Sequence, residues 1–141
     1  MTAKRLQTIQ NAAARLFGGM SGRSSVLPVL RDELHWLPIK QRIDLKVCVI
    51  SFKATNRLAP FYLVEMSVPV SSNPALSRNR SADREDLIIQ KVKNMSYGRR
   101  SFAIDGPSFW YSLPMNLCSC SSLTKFKTNM KTYLFRQTYS L

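Results

Sequence analysis

The chain has 141 residues, 45% of them hydrophobic, which is the size of one domain able to bury roughly two-thirds of the surface its unfolded form exposes. Lys and Arg number 21 against 8 Asp and Glu, a formal charge of +13 that suits RNA, DNA or another anionic surface and bears on partners rather than on fold. No stretch approaches the ~20 apolar residues of a membrane-spanning helix, so no membrane partner is expected, and 3 cysteines without a secretory signal do not make a disulfide framework.

In chain order, the spacing of Leu6, Ile9, Ala13, Leu16 and Phe17 predicts a helix from about Ala3 to Phe17 with those residues inward, stopped by Gly18-Gly19. Gln7, Gln10, Asn11 and Arg15 fall on its remaining surface. Ser24 or Ser25 can cap a second helix through Leu34, with Pro28 in its first turn and Leu27, Leu30 and Leu34 inward. His35 and Trp36 occupy a junction; a Trp between helices is more often a packing element than a base-stacking one. Pro38 suits the first position of the longest helix, which runs to Asn56, a residue able to take the left-handed cap. Ile39, Ile43, Val47, Ile50 and Ala54 form its inward face, widened by Val49 and Phe52, and Ser51 lies opposite. Pro60 starts a short apolar turn of helix.

Residues 67–93 read as a variable, mobile loop, rich in Ser, Asn and Pro. A strand over Leu87 to Val92, a turn at Asn94-Met95-Ser96 and a second strand near Arg100 to Ile104 would make a small β-hairpin. Gly106-Pro107 marks the start of a short aromatic helix ended before Pro114. A last helix runs from a cap at Ser121 or Ser122 to about Arg136, with Leu123, Phe126, Met130, Tyr133 and Leu134 inward and Lys125, Lys127, Lys131 and Arg136 outward. The expected fold is mainly α, four or five helices around one long central helix, with the hairpin after the middle loop. Residues 1–66 form a helical core segment, and residues 94–141 complete the same single domain.

Several blocks carry a family resemblance: LQTIQNAAARL at residues 6–16, HWLPIKQRID followed by FKATNRLAPFYL within Leu34 to Met66, and GRRSFAIDGPSFWYSLP followed by FKTNMKTYLF between Gly98 and Phe135. In this order they resemble the region downstream of the polymerase core in LINE-type, non-LTR retrotransposon reverse transcriptases. The resemblance implies a non-catalytic, mainly helical piece that grips template RNA and target DNA, with the polymerase palm region as a further partner. It also makes residues 6–16 a structural helix. The acid-free run of cations over residues 1–31 has the composition of a mitochondrial transit peptide, but because residues 6–16 match an internal block of the family mitochondrial import is not expected; the sequence does not fix a location beyond the expectation that it is intracellular, nuclear or cytoplasmic. Some LINE proteins end in a Cys/His zinc knuckle, which this sequence lacks.

Catalytic patterns are missing. Reverse transcription needs carboxylates that hold two divalent metals, and there is no Asp-Asp pair here. There is no GxxxxGK[ST] loop, and the sole histidine, His35, would have to serve any Ser/His/Asp or Cys/His arrangement. Cys118-Ser-Cys120 lacks zinc-ligand spacing, and Cys48 reads as a core residue. No enzyme activity, cofactor, metal or small-molecule substrate is expected. The leading expectation is phosphate-backbone binding to RNA or DNA through Arg15, Lys40, Lys46, Lys53, Lys127 and Lys131. The alternative is an inert or orphaned protein-interaction fragment of a truncated retrotransposon reading frame, exposing apolar surface that once packed on the missing palm.

Overall fold

The computed structural model describes residues 3–75, 86–89 and 101–140, and its regular elements are helices: the fold is mainly α. They are α1 (Ala3–Phe17), a π-helical turn (Val29–Glu33), α2 (Ile39–Thr55), α3 (Phe61–Met66), a 3₁₀ turn (Val70–Ser72), α4 (Phe102–Ser112), α5 (Met115–Cys118) and α6 (Leu123–Tyr139). The chain divides into two compact units, Met1–Asp44 with Lys131–Leu141, and Leu45–Met130.

In the first unit, α1 ends in a Schellman motif. Gly19 takes the left-handed conformation at φ 59°, the Met20 N–H donates to Arg15 O at 3.0 Å, and the Gly19 N–H donates to Leu16 O at 3.4 Å. A Cβ on the adjacent Gly18 would lie 3.0 Å from Val29 Cγ2, so the glycine lets the π-helical turn pack close against the helix end. The face that α1 buries is not the one its apolar periodicity predicts. Gln10 and Ala14 are buried, while Ile9, Leu16 and Phe17 are 58%, 85% and 79% exposed. Hydrogen bonding is the reason. Gln7 Oε1 accepts the Ile39 N–H at 2.8 Å, and Gln10 Nε2 donates to Leu37 O at 2.9 Å. Gln7 Nε2 donates in turn to Asn11 Oδ1 at 2.8 Å, fixing which way its amide points.

The helix expected through Leu34 is instead wound as a π turn. Leu34 N–H donates to Val29 O at 2.9 Å, five residues back, and Trp36 N–H reaches Leu30 O at 2.8 Å. This wider winding brings Val26, Val29 and Leu30 into a cluster with Ala14, against which Met20, Leu34 and Trp36 pack; Leu27, expected inward, is 59% exposed. Trp36 is thus a packing element, and its carbonyl accepts the Tyr139 hydroxyl at 2.8 Å.

Pro38 precedes α2, and its carbonyl accepts the Arg42 N–H at 3.0 Å, so it caps the helix from outside. Within the second unit, α2 buries Cys48, Ser51, Phe52 and Ala54. The apolar pattern puts Ser51 outward and Ile43 inward, but Ser51 is fully buried and Ile43 is 48% exposed. The buried hydroxyl is tolerable because it donates to Val47 O at 3.0 Å, and it sits where a Cβ on Gly106 would approach it to 3.1 Å. At the end of α2 the left-handed residue is Arg57, φ 56°, rather than Asn56. Leu58 N–H reaches Lys53 O at 2.7 Å, and the Asn56 side chain is engaged with Phe52 O at 2.9 Å.

The core of this unit is three aromatic rings. Phe52 and Phe126 stack with centroids 4.4 Å apart, and Trp110 lies 6.5 Å from Phe52 and 6.0 Å from Phe126. Cys48, Leu113, Leu117, Cys118 and Met130 are buried too. On α6, Phe126, Met130 and Leu134 are buried as the spacing requires, and Ser122 Oγ accepts the Lys125 N–H at 3.3 Å as an N-cap.

Of the expected hairpin, the second strand is corrected. From Phe102 the chain is helical, led by Ser101 in extended geometry, whose carbonyl accepts the N–H groups of Ile104 and Asp105 at 3.0 Å. Gly106 and Pro107 therefore lie inside α4, not at its start. The turn at Asn94-Met95-Ser96 lies outside the described residues. Leu87 makes an isolated antiparallel bridge with Pro69, joined by bonds from Val70 N–H to Asp86 O at 2.8 Å and from Ile88 N–H to Val68 O at 2.7 Å. Within the expected loop, residues 68–70 and 86–88 are thereby paired, with Val70 and Leu87 buried.

Two substitutions test these assignments by denaturant unfolding. Gln10→Ala strands the Leu37 carbonyl and should cost about 1–3 kcal/mol. Arg57→Gly relieves a left-handed side chain and should raise stability by about 0.5–1 kcal/mol, whereas Asn56→Gly should not.

Candidate nucleic-acid interface

The six cations expected to meet phosphate do not share one setting. Arg15 is half-buried in the last turn of α1, and its Nε is buried with no hydrogen-bond partner among the described residues. Lys40 is exposed in the first turn of α2, one turn before Asp44. Lys46 and Lys53 lie two turns apart on one side of the same helix, the first exposed and the second half-buried. Lys127 and Lys131 are both exposed, one turn apart on α6. The helical spacing that buries Phe126, Met130 and Leu134 is what turns these two lysines outward.

Near the C-terminal end of α6, in the first unit, Lys131 joins a feature that charge counting does not find. A cleft of about 760 Å³ is lined by His35, Lys131, Thr132, Phe135 and Arg136. That volume is within the range of sites that hold a small molecule, about 300–1,000 Å³. The His35 ring stacks on Phe135, with centroids 6.0 Å apart and planes inclined at 22°. Phe135 is braced from within its own helix by Tyr139, 4.7 Å away and tilted at 55°. His35 is exposed and has φ 48°, a left-handed conformation uncommon for a residue with a side chain. Of the six expected contacts, only Lys131 lines this cleft. Arg136 reads from the sequence as an outward charge on the last helix, and neither His35 nor Phe135 is among the expected contacts. The available signal is the i, i+4, i+5 run of Lys131, Phe135 and Arg136, which places a ring between two cations on a helix surface.

Electrostatics elsewhere in the unit are local. Arg31 Nε donates to Asp32 Oδ1 at 2.6 Å and Arg31 Nη2 to Asp32 Oδ2 at 2.9 Å, an exposed bidentate pair. This hydrogen bonding holds the Asp32 carboxyl below its usual range and the Arg31 guanidinium above its own. Asp44 is shifted the other way: burial pushes its carboxyl up, and Lys40 partly offsets the shift. Burial likewise raises the Tyr139 phenol, opposed by Arg31. Among the described residues no group of three His, Cys, Asp or Glu side chains is placed to hold a metal ion, and no helix is long and apolar enough to cross a membrane.

The two carboxyls make opposite contributions to stability against pH. Asp32, depressed in the fold, stabilises above the ordinary carboxyl value of about 4, and that contribution is lost as pH falls through its folded pKa. Asp44, raised in the fold, binds its proton more tightly there, so stability declines as pH rises from about 4 through the raised value. Thermal unfolding of Asp44→Asn should therefore lose the decline on the high side of that window, and Asp32→Asn the loss on the acid side. If both variants track the parent at every pH, neither shift is real.

No family model, curated protein or solved structure matches this chain.

Proposed function

We propose that this chain is a non-catalytic piece derived from a LINE-type reverse transcriptase, and that it binds RNA or DNA through phosphate-backbone contacts. The reading rests on the blocks that resemble that family and on the excess of cations, 21 against 8 acids. The observation that carries it is the pair Lys127 and Lys131, exposed one turn apart on α6 with its apolar face buried beneath. Exposed lysines at one-turn spacing can meet neighbouring phosphates and release counterions without reading bases. Lys40 and Lys46 on α2 are also exposed.

A second reading has an observation of its own. Ile9, Ala13, Leu16 and Phe17 lie on one face of α1 and are exposed, the opposite of what a self-sufficient amphipathic helix does. Such a face marks a protein-interaction surface, in keeping with an orphaned fragment that once packed on a missing neighbour.

A salt titration of binding to a labelled RNA hairpin and to a DNA duplex of equal length separates the two. Neutralising about five phosphates gives log K against log salt a slope of roughly −3.5 on single strands and −4.5 on duplex DNA, and Lys127→Ala with Lys131→Ala should flatten it by up to about two phosphates' worth. Absence of binding at low salt, in a protein whose circular dichroism remains helical, would overturn the nucleic-acid reading and leave the interaction surface on α1.

A further inference from the structure

The cleft beside α6 combines two features that backbone binding does not need. Exposed cations alone serve phosphates, but here Lys131 and Arg136 flank a ring, Phe135, on which a second ring, His35, is already stacked. His35 is held in this place by the backbone on both sides. The π turn ends at Glu33, His35 is left-handed at φ 48°, and the Trp36 carbonyl is tied to the Tyr139 hydroxyl at 2.8 Å. Tyr139 also braces Phe135, so one residue positions both rings of the pair. The imidazole is stacked on Phe135 and His35 is exposed, so its ring surface is accessible from the cleft. A flat, partly exposed ring surface with cations at its border matches an unpaired base and its phosphate: the base extends the stack and the phosphate meets Lys131 or Arg136. A duplex cannot use this surface, because its bases are already stacked on one another.

We propose that the cleft formed by His35, Lys131, Thr132, Phe135 and Arg136 binds a nucleotide of single-stranded RNA or DNA by stacking one unpaired base on the His35–Phe135 pair. The proposal rests on the nucleic-acid reading and adds to it a preference for unpaired bases. The stack is sequence-tolerant, since every base has a flat face, and hydrogen bonding to base edges has no part in it.

The test uses the full chain at one low salt concentration with three labelled 12-mers: oligo-rU, oligo-dT and an abasic deoxy strand carrying the same phosphates. Both base-bearing strands should bind about tenfold more tightly than the abasic strand, in line with the contribution of one stacked base. The tighter of the two names the natural ligand as RNA or DNA. His35→Asn removes the ring but tolerates the left-handed backbone, and Phe135→Leu keeps apolar contact with Tyr139 without the ring face. Each should bring oligo-rU and oligo-dT binding down to the abasic level while leaving abasic binding unchanged. Equal affinity for all three strands, or variants that lower all three alike, would overturn the stacking site while leaving backbone binding intact. Failure of every strand to bind the parent chain would overturn both readings together.

Discussion

Two amide side chains one turn apart hold the first unit in register. Gln7 caps the first N–H of α2, and Gln10 satisfies the carbonyl two residues earlier, so α1 reads the backbone at Leu37 to Ile39 as a strand edge would read its neighbour. Burying amides in this way is costly unless the partners lie where the donors point, and that requirement leaves little freedom in how far α1 can slide or turn. Ala14, a small residue on that face, lets the helix approach the Val26, Val29 and Leu30 cluster closely. The apolar stripe is turned outward because the polar one has specific partners and apolar burial has none.

The second unit follows a different logic. Its order comes from ring packing, with Phe52, Trp110 and Phe126 brought together from three separate helices. Here the polar exception is Ser51, which returns its proton to its own helix and takes up little volume, so α4 can approach at Gly106. Dispersion and area burial dominate, and these are less particular about orientation than amide hydrogen bonds. The same chain thus stabilises one unit by directional contacts and the other by shape.

This contrast explains what could be read from the residues alone. Helix positions were legible because Gly18-Gly19, Pro38, Pro60 and Ser122 punctuate them, and most of α6 was legible because its inward residues are large and its outward ones charged, although it runs on to Tyr139, past the expected end near Arg136. The inward face of α1 was not legible: periodicity scores apolarity, and nothing in the pattern says that Gln7 and Gln10 have backbone partners about thirty residues away. Ser51 misled for the same reason. The helix beginning at Phe102 resembled a strand because Phe and Ile favour both states, and Gly106-Pro107 suggested a boundary where Pro107 in fact sits inside the helix. As for the candidate site, charge and spacing name Lys127 and Lys131 as outward residues, and both are exposed, whereas the pairing of His35 with Phe135 depends on a contact one hundred residues apart in the chain. Arg15, named on the same charge arithmetic, is weakened as a contact by the half-burial of its side chain.

The π turn at Val29–Glu33 ties the cleft to the length of the chain. Relative to an α-helix it accommodates one additional residue between the same two ends, and each α-helical residue rotates the next by about 100°. Loss of a single residue there would let the turn relax to ordinary helical winding and swing the His35 ring away from Phe135, with no change in either aromatic residue. The placement of that ring is therefore encoded in residue count as well as in chemistry. Among descendants of this sequence, a deletion in a segment distant from α6 along the chain could dismantle the cleft as surely as a substitution within it.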